Sequence, residues 1–177
     1  MEEPLHLVAP KEPARQPAIG PATFEALFRS HRDELFGAMA LVTRDRGEAE
    51  ELTQEAFVKI LERWDRVGAM DDPAGYLYRT AMNLFRKRYR RAALAARRSV
   101  GLAPPRDPIE DVDARDAAAR ALAPLTPKQR AAIVLTDLLG FPSEEAARML
   151  GIRASTVRMH ASVARAALRK TMGGEGR

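Results

Sequence analysis

Apolar residues in this chain recur every third or fourth position, and no stretch alternates β-branched with polar residues, so the sequence can bury itself as helices but offers nothing to a sheet. Alanine, the best helix former, fills 32 of the 177 positions and strengthens that constraint. Phe24, Leu27, Phe28, Leu35, Met39 and Val42 predict a helix over 24–42, with His31 at the missing inner position as a core-edge histidine. Ala49, Leu52, Ala56, Ile60 and Trp64 predict a second over 47–64, with Trp64 in the core. A break over 67–71 follows. Asp72 before Pro73 then supplies a side-chain cap and a proline where the missing N–H costs nothing, which predicts a third helix running past Arg90.

Further along, Thr126-Pro127-Lys128-Gln129 reads as a capping box opening a helix that Gly140 stops after Leu139. Ser143 is expected to cap a short helix, with Glu144 and Glu145 in its first turn, that Gly151 ends. A last helix is expected over 154–170. Five of the twelve prolines fall within residues 1–22, too closely spaced for regular structure, which predicts a disordered arm. Pro104, Pro105, Pro108 and Gly101 with Asp107, Glu110, Asp111 and Asp113 predict a flexible linker over 99–113. The expected fold is all-α: two small helical domains, 23–98 and 114–171, joined by that linker, with a tail over 172–177.

Several chemistries drop out. There is no cysteine, hence no disulfide scaffold, thiolate zinc site or cysteine nucleophile. His6, His31 and His160 stand singly, so no metal site is readable and no cofactor is expected. The longest apolar runs, such as Ala38–Val42 and Ala131–Leu135, are five residues, against roughly 20 for a membrane span. With Glu2 and Glu3 where a signal peptide would be positive, a soluble cytoplasmic protein without membrane insertion is expected.

Charge is where the sequence turns specific. Lys plus Arg is 29 against 24 Asp plus Glu, and 24 of the 29 are arginine, whose planar fork suits phosphate. From Pro73 to Arg106 there are nine basic residues and no acidic one, with Arg86, Lys87, Arg88, Arg90 and Arg91 in six positions. Leu77, Thr80, Ala81 and Leu84 form an apolar stripe whose continuation lands on Arg88 and Arg91, so the helix is expected to leave its core after Phe85. Tyr78, Met82 and Tyr89 line a neighbouring face, and aromatics beside arginines are what single-stranded nucleic acid uses. A solvated basic helix end is the plainer alternative.

Residues 143–170 read as a helix-turn-helix, with Val157, Ala161, Ala164 and Leu168 inward and Ser155, Arg158, Met159, Ser162, Arg165 and Arg169 outward. No acidic residue occurs from Ala146 to Gly174, which suits a helix in the major groove; an ordinary helical hairpin is the alternative. On the second helix, Glu51, Gln54, Glu55, Val58 and Glu62 share an acidic outward face, which would repel DNA and serves either solvent or a protein partner.

The segments EAEELTQEAFVKILERWDRV (48–67), DDPAGYLYRTAMNLFRKRYRR (71–91) and LTPKQRAAIVLTDLLGFPSEEAARMLGIRASTVRMHASVARAALR (125–169) resemble, in order, the extracytoplasmic-function (ECF) sigma factors of the sigma-70 family. The resemblance covers about 24–98 and 114–170. It implies a non-enzymatic subunit that joins bacterial core RNA polymerase and directs promoter recognition and melting, with an anti-sigma protein as a candidate further partner. Glu51, Gln54, Glu55, Val58 and Glu62 would bind core polymerase. The loop 66–72 and the following helix, through Tyr78, Asn83, Arg86, Lys87, Tyr89, Arg90 and Arg91, would read and open the minus-ten element. Ser155, Thr156, Arg158, Met159, Ser162, Arg165 and Arg169 would read the minus-thirty-five element. Two residues depart from the pattern: Lys87, where many members have Asp, and Arg153, where many have a capping Ser, so that Ser155 could cap one turn later. The rival readings are a dimeric helix-turn-helix regulator that never joins polymerase, and a recombinase-like enzyme, for which no strand-containing catalytic domain is visible.

Overall fold

The computed structural model describes residues 23–98 and 114–174, and among these every regular element is helical. The first unit comprises α1 (Phe24–Thr43), α2 (Arg46–Leu61), a single turn α3 (Trp64–Val67) and the long α4 (Pro73–Arg98). The second comprises α5 (Ala114–Leu122), α6 (Pro127–Ile133), a π-helical turn (Val134–Leu138), α7 (Ser143–Leu150) and α8 (Ala154–Gly174). The expected arm (1–22) and linker (99–113) lie outside the described residues, as does the end of the expected tail (175–177); α8 continues through 172–174.

Local chemistry accounts for most helix boundaries. Thr23 Oγ1 accepts from the Ala26 N–H at 3.2 Å and opens α1. Arg44 takes the left-handed φ of 60° and donates its N–H to Ala40 O at 2.9 Å, closing α1. One residue later Asp45 caps α2, its carboxylate accepting from the Glu48 N–H at 2.8 Å. Asp72 caps α4 as expected, accepting from the Gly75 N–H at 2.9 Å. The capping box at α6 is complete: the Gln129 N–H donates to Thr126 Oγ1 at 3.3 Å and the Thr126 N–H to Gln129 Oε1 at 2.9 Å.

Other boundaries differ from expectation. The second helix stops at Leu61, and Trp64 belongs to α3, which carries Val67 into the core where a break was expected. Trp64 packs edge-on against Phe24 at 5.8 Å between ring centroids, a long-range contact that decides where α2 must turn. The helix expected to run from Pro127 to Leu139 loosens at Val134, where Leu139 N–H reaches back five residues to Val134 O at 3.0 Å. Ser143 is the first helical residue of α7, not its cap; Pro142 holds the cap position without a side-chain bond. Arg153 O accepts from the Thr156 and Val157 N–H groups, so α8 begins at Ala154 and Ser155 does not displace its start. Helix α5 was not anticipated.

The core is continuous across both units. Leu27, Leu35, Met39, Leu52, Ile60 and Leu77 fill the first, and Leu135, Met149, Val157 and Ala164 the second. Helix α4 touches both, burying Leu77, Ala81 and Leu84 but also Tyr78, Met82 and Phe85, so the face read as a nucleic-acid surface is partly core. Three arginines stitch the seam. Arg130 of α6, 7% exposed, donates from Nε to Val42 O at 3.0 Å, a carbonyl in the last turn of α1 where intrahelical partners run out. Arg44 Nη1 donates to Ala123 O at 3.2 Å, and Arg86 Nη1 to Met149 O at 3.4 Å in the last turn of α7.

Gly151 ends α7 with φ 62°, and a Cβ there would lie 2.6 Å from Arg86 Cζ. Gly151→Ala should lose the penalty of about 1–2 kcal/mol for a left-handed non-glycine residue, because the guanidinium is the mobile end of a flexible side chain and can swing aside. The loss should be much the same in an Arg86→Ala background, as read from urea denaturation of the four chains.

Candidate nucleic-acid interface

Helix α2 is amphipathic because Ala49, Leu52, Ala56 and Ile60 are fully buried, which turns the residues between them outward. Glu51, Gln54, Val58 and Glu62 are exposed and Glu55 is half-buried, so the five lie together on one surface. Leu61, 54% exposed, adds an apolar neighbour to Val58. That surface is not wholly free: Arg88 of α4 forks onto it, Nη1 to Glu51 Oε2 at 2.7 Å and Nη2 to Glu55 Oε2 at 3.1 Å. Burial opposes the Arg88 charge, but the hydrogen bonds it donates to the two carboxylates outweigh it and its pKa is raised. Glu48, half-withdrawn from water on the same helix, has its pKa raised by burial, with Arg88 pulling the other way.

Along α4 the residues expected to meet a melted strand separate into two groups. Asn83, Lys87, Tyr89, Arg90 and Arg91 are exposed. Tyr78 is not: it is 3% exposed, donates its hydroxyl to Glu34 Oε2 at 2.6 Å, and packs against Phe141 of the second unit at 5.5 Å between centroids. Burial, with the Glu34 carboxylate as acceptor, pushes its pKa up. Arg86 is half-buried, shared between Asn83 Oδ1 at 3.2 Å and Met149 O. Tyr78 is thus a seam residue in this arrangement, because α4 is covered on the side it occupies. Beside Arg86 the seam opens into a groove of about 390 Å³, where Tyr89, Leu94, Leu150 and Ile152 are rimmed by Arg90 and Lys128.

The second unit presents α8. Val157, Ala161 and Ala164 are buried, Leu168 half-buried, and Ser155, Arg158, Met159, Ser162, Arg165 and Arg169 exposed, with Thr156 at the margin. Small inward residues let α8 lie close on α6 and α7. Two of its arginines already have partners: Arg158 Nη1 meets Glu144 Oε1 at 3.0 Å, and Arg165 grips Asp137 through Nε at 2.7 Å and Nη2 at 3.1 Å. The Asp137 pair ties α8 to the π-helical turn, which presents that carboxylate to it. The roles of Arg130, Arg44 and Asp137, and the partners of Arg88, are not legible in the sequence, since nothing local tells which distant group an arginine will reach. Among the described residues no helix is long and apolar enough to cross a membrane, and no group of His, Asp and Glu could hold a metal ion.

The comparisons agree with this geometry. Residues 27–94 match the model of sigma-70 region 2, and residues 115–168 that of sigma-70 region 4. The chain is 30% identical over 160 residues to the ECF RNA polymerase sigma factor SigM of Mycobacterium tuberculosis, covering 85% of this chain and 77% of that one. It is also 30% identical over 170 residues to SigE of Mycolicibacterium smegmatis, covering 83% of this chain and 65% of the relative. Among solved structures, the sigma factor RpoE of Bartonella quintana, in complex with the anti-sigma factor NepR, aligns with a TM-score of 0.68 at 23% identity over 85% of this chain and 96% of that chain. The chain belongs to the ECF sigma factors of the sigma-70 family, and it is a transcription initiation subunit, not an enzyme.

Burial works against ionisation of Asp137, yet the hydrogen bonds from Arg165 and Thr136 prevail and hold its pKa below the ordinary carboxylate value. A depressed acid stabilises the fold above its unfolded pKa and loses that contribution as pH falls through the folded value. Asp137→Asn should therefore be less stable than wild type at neutral pH, and the gap in urea midpoint should close in acid below the usual carboxylate range.

Proposed function

We propose that this chain acts in the cytoplasm, docking on core RNA polymerase through the acidic face of α2 and engaging promoter DNA through α4 and α8. The observation that carries the division of labour is the segregation of charge: α2 presents Glu51, Glu55 and Glu62, while the exposed ends of α4 and α8 present Lys87, Arg90, Arg91 and Arg169. An acidic helix beside two basic ones has no use for the same polyanion, so a protein partner for the first and DNA for the others is the economical assignment. On this reading residues 23–98 form the polymerase and minus-ten unit and 114–171 the minus-thirty-five unit. An anti-sigma protein, the partner named for the Bartonella factor, is a further candidate.

Work on DNA divides into attraction and reading. Asn83, Lys87, Tyr89, Arg90 and Arg91 can meet a melted strand as the chain stands; Tyr78 and Arg86 become available only if Phe141 and Met149 move away. On α8, Arg169 is exposed near the C-terminal end and suits phosphate, whereas Ser155, Arg158 and Met159 sit near the N-terminal end that enters the groove first. Arg165, held by Asp137, serves in orienting α8 as well as in attracting phosphate.

The decisive experiment is run-off transcription from a set of genomic promoters with core polymerase, with and without this chain. Transcripts from a subset of templates that depend on the chain are expected; none from any template, together with dimeric binding to duplex in the absence of polymerase, would favour the regulator reading. Glu62→Lys, at an exposed position of the same face, should weaken core binding in a pull-down while the thermal midpoint stays nearly unchanged. In holoenzyme, Arg158→Ala should cost about 1–3 kcal/mol on the preferred upstream element and flatten base preference. Arg169→Ala should instead weaken all sequences alike and lower the salt slope by roughly one.

A further inference from the structure

From Arg86 to Ala95 the side chains of α4 are exposed except at two positions, Arg86 and Arg88. Arg86 is held from the second unit, through Met149 O and the Gly151 turn. Arg88 is held from the first, by Glu51 and Glu55 of α2. Beyond Phe85 the apolar contacts that fix α4 against α2 are exhausted, and an exposed helical end with no tertiary hold frays. Arg88 takes up the stripe of Leu77, Ala81 and Leu84 at the next step and continues it as a charged clasp. One residue to either side stand Lys87 and Tyr89, and two beyond stands Arg90, all exposed. Because successive helical residues turn by a fixed angle, pinning Arg88 to α2 sets the direction in which those three point.

We infer that Arg88 is a positioning residue that links the polymerase-docking face of α2 to the strand-contacting end of α4. The inference rests on the docking and strand reading above and adds a residue that reading does not use. Arg88 points at carboxylates, not at DNA; Lys59 also approaches Glu55 at 3.7 Å, yet both acids keep surface open to a partner's cations, Glu51 being 69% and Glu55 40% exposed. Docking and strand presentation therefore share one set of acids. The hold on Arg86 depends on the second unit, whereas the clasp at Arg88 does not, since both of its partners lie in the first unit. A lysine at this position could satisfy one carboxylate but not fork across two a helical turn apart.

The test uses the full chain assembled with core polymerase and compares Arg88→Met with Arg88→Lys and wild type. Core binding should remain within about twofold while open-complex formation on a duplex promoter falls by up to about fivefold, the range of a partly exposed bidentate ion pair. Arg88→Lys should recover part of the loss. A double-mutant cycle with Tyr89→Ala gives the readout that stability alone would not move: Tyr89→Ala should slow opening markedly in wild type and much less in the Arg88→Met chain. Independently of DNA, amide hydrogen exchange over 86–95 should quicken in Arg88→Met, with α1 and α2 unchanged. Additive losses, or a fall in the salt slope, would make Arg88 a plain phosphate contact and overturn the inference; so would unaltered exchange over 86–95, or recruitment falling in step with opening. If Tyr89→Ala and Arg90→Ala leave opening unchanged in wild type while exchange quickens as expected, the strand reading fails and the clasp between α2 and α4 stands.

Discussion

Helix α4 is buried on two sides at once, and the rest of the molecule is arranged around that fact. Leu77, Ala81 and Leu84 pack with the first unit, while Phe141 covers Tyr78 and the last turn of α7 meets Arg86. Each large apolar side chain taken out of water contributes on the order of 1.5–3 kcal/mol, so α4 draws on two sets of neighbours where an amphipathic helix normally draws on one. The consequence is a conflict between folding and function. The surface that serves a melted strand overlaps the surface that joins the two units, and the chain resolves the overlap residue by residue, giving Tyr78 and Arg86 to the seam and leaving Lys87, Tyr89, Arg90 and Arg91 outside.

Arginine does two kinds of work here, distinguished by what it faces. Arg130, Arg44 and Arg86 donate to main-chain carbonyls at the seam, two of them in the last turns of α1 and α7. Such carbonyls lack helical partners and lie at the negative end of the helix dipole, so a guanidinium there satisfies a group that burial would otherwise leave costly. Arg88, Arg158 and Arg165 face carboxylates at the surface, where water and salt weaken the attraction, and their value is directional. They hold helices in phase. A chain rich in arginine for polyanions thus spends part of that charge on internal order, and the count of basic residues overstates what DNA can touch.

Local signals carried much of the architecture. Asp72 before Pro73, the box at Thr126 and Gln129, and Gly151 each act within four residues, and each sits in the structure where the sequence put it. Val157, Ala161 and Ala164 turned inward on α8 because helical periodicity alone dictates the face. The outward surfaces of α2 and α8 follow from the same geometry. A distant partner moves one boundary, since Trp64 leaves α2 where Phe24 receives it; α7 opens at Ser143 without that side chain's help.

The sequence by itself determined that the chain is helical, where most helices start, which faces are acidic or basic, and, through three ordered motifs, its family. Those properties depend on spacing and on neighbours within a turn or two, where geometry is fixed before the chain collapses. Tertiary structure alone decided that Tyr78 is a seam residue, that Arg86 answers to Met149 and Arg88 to α2, and that Arg165 is tied to Asp137. An arginine reaches far and carries the same charge wherever it stands, so its role is set by which carbonyl or carboxylate packing brings within its reach, and no local pattern encodes that.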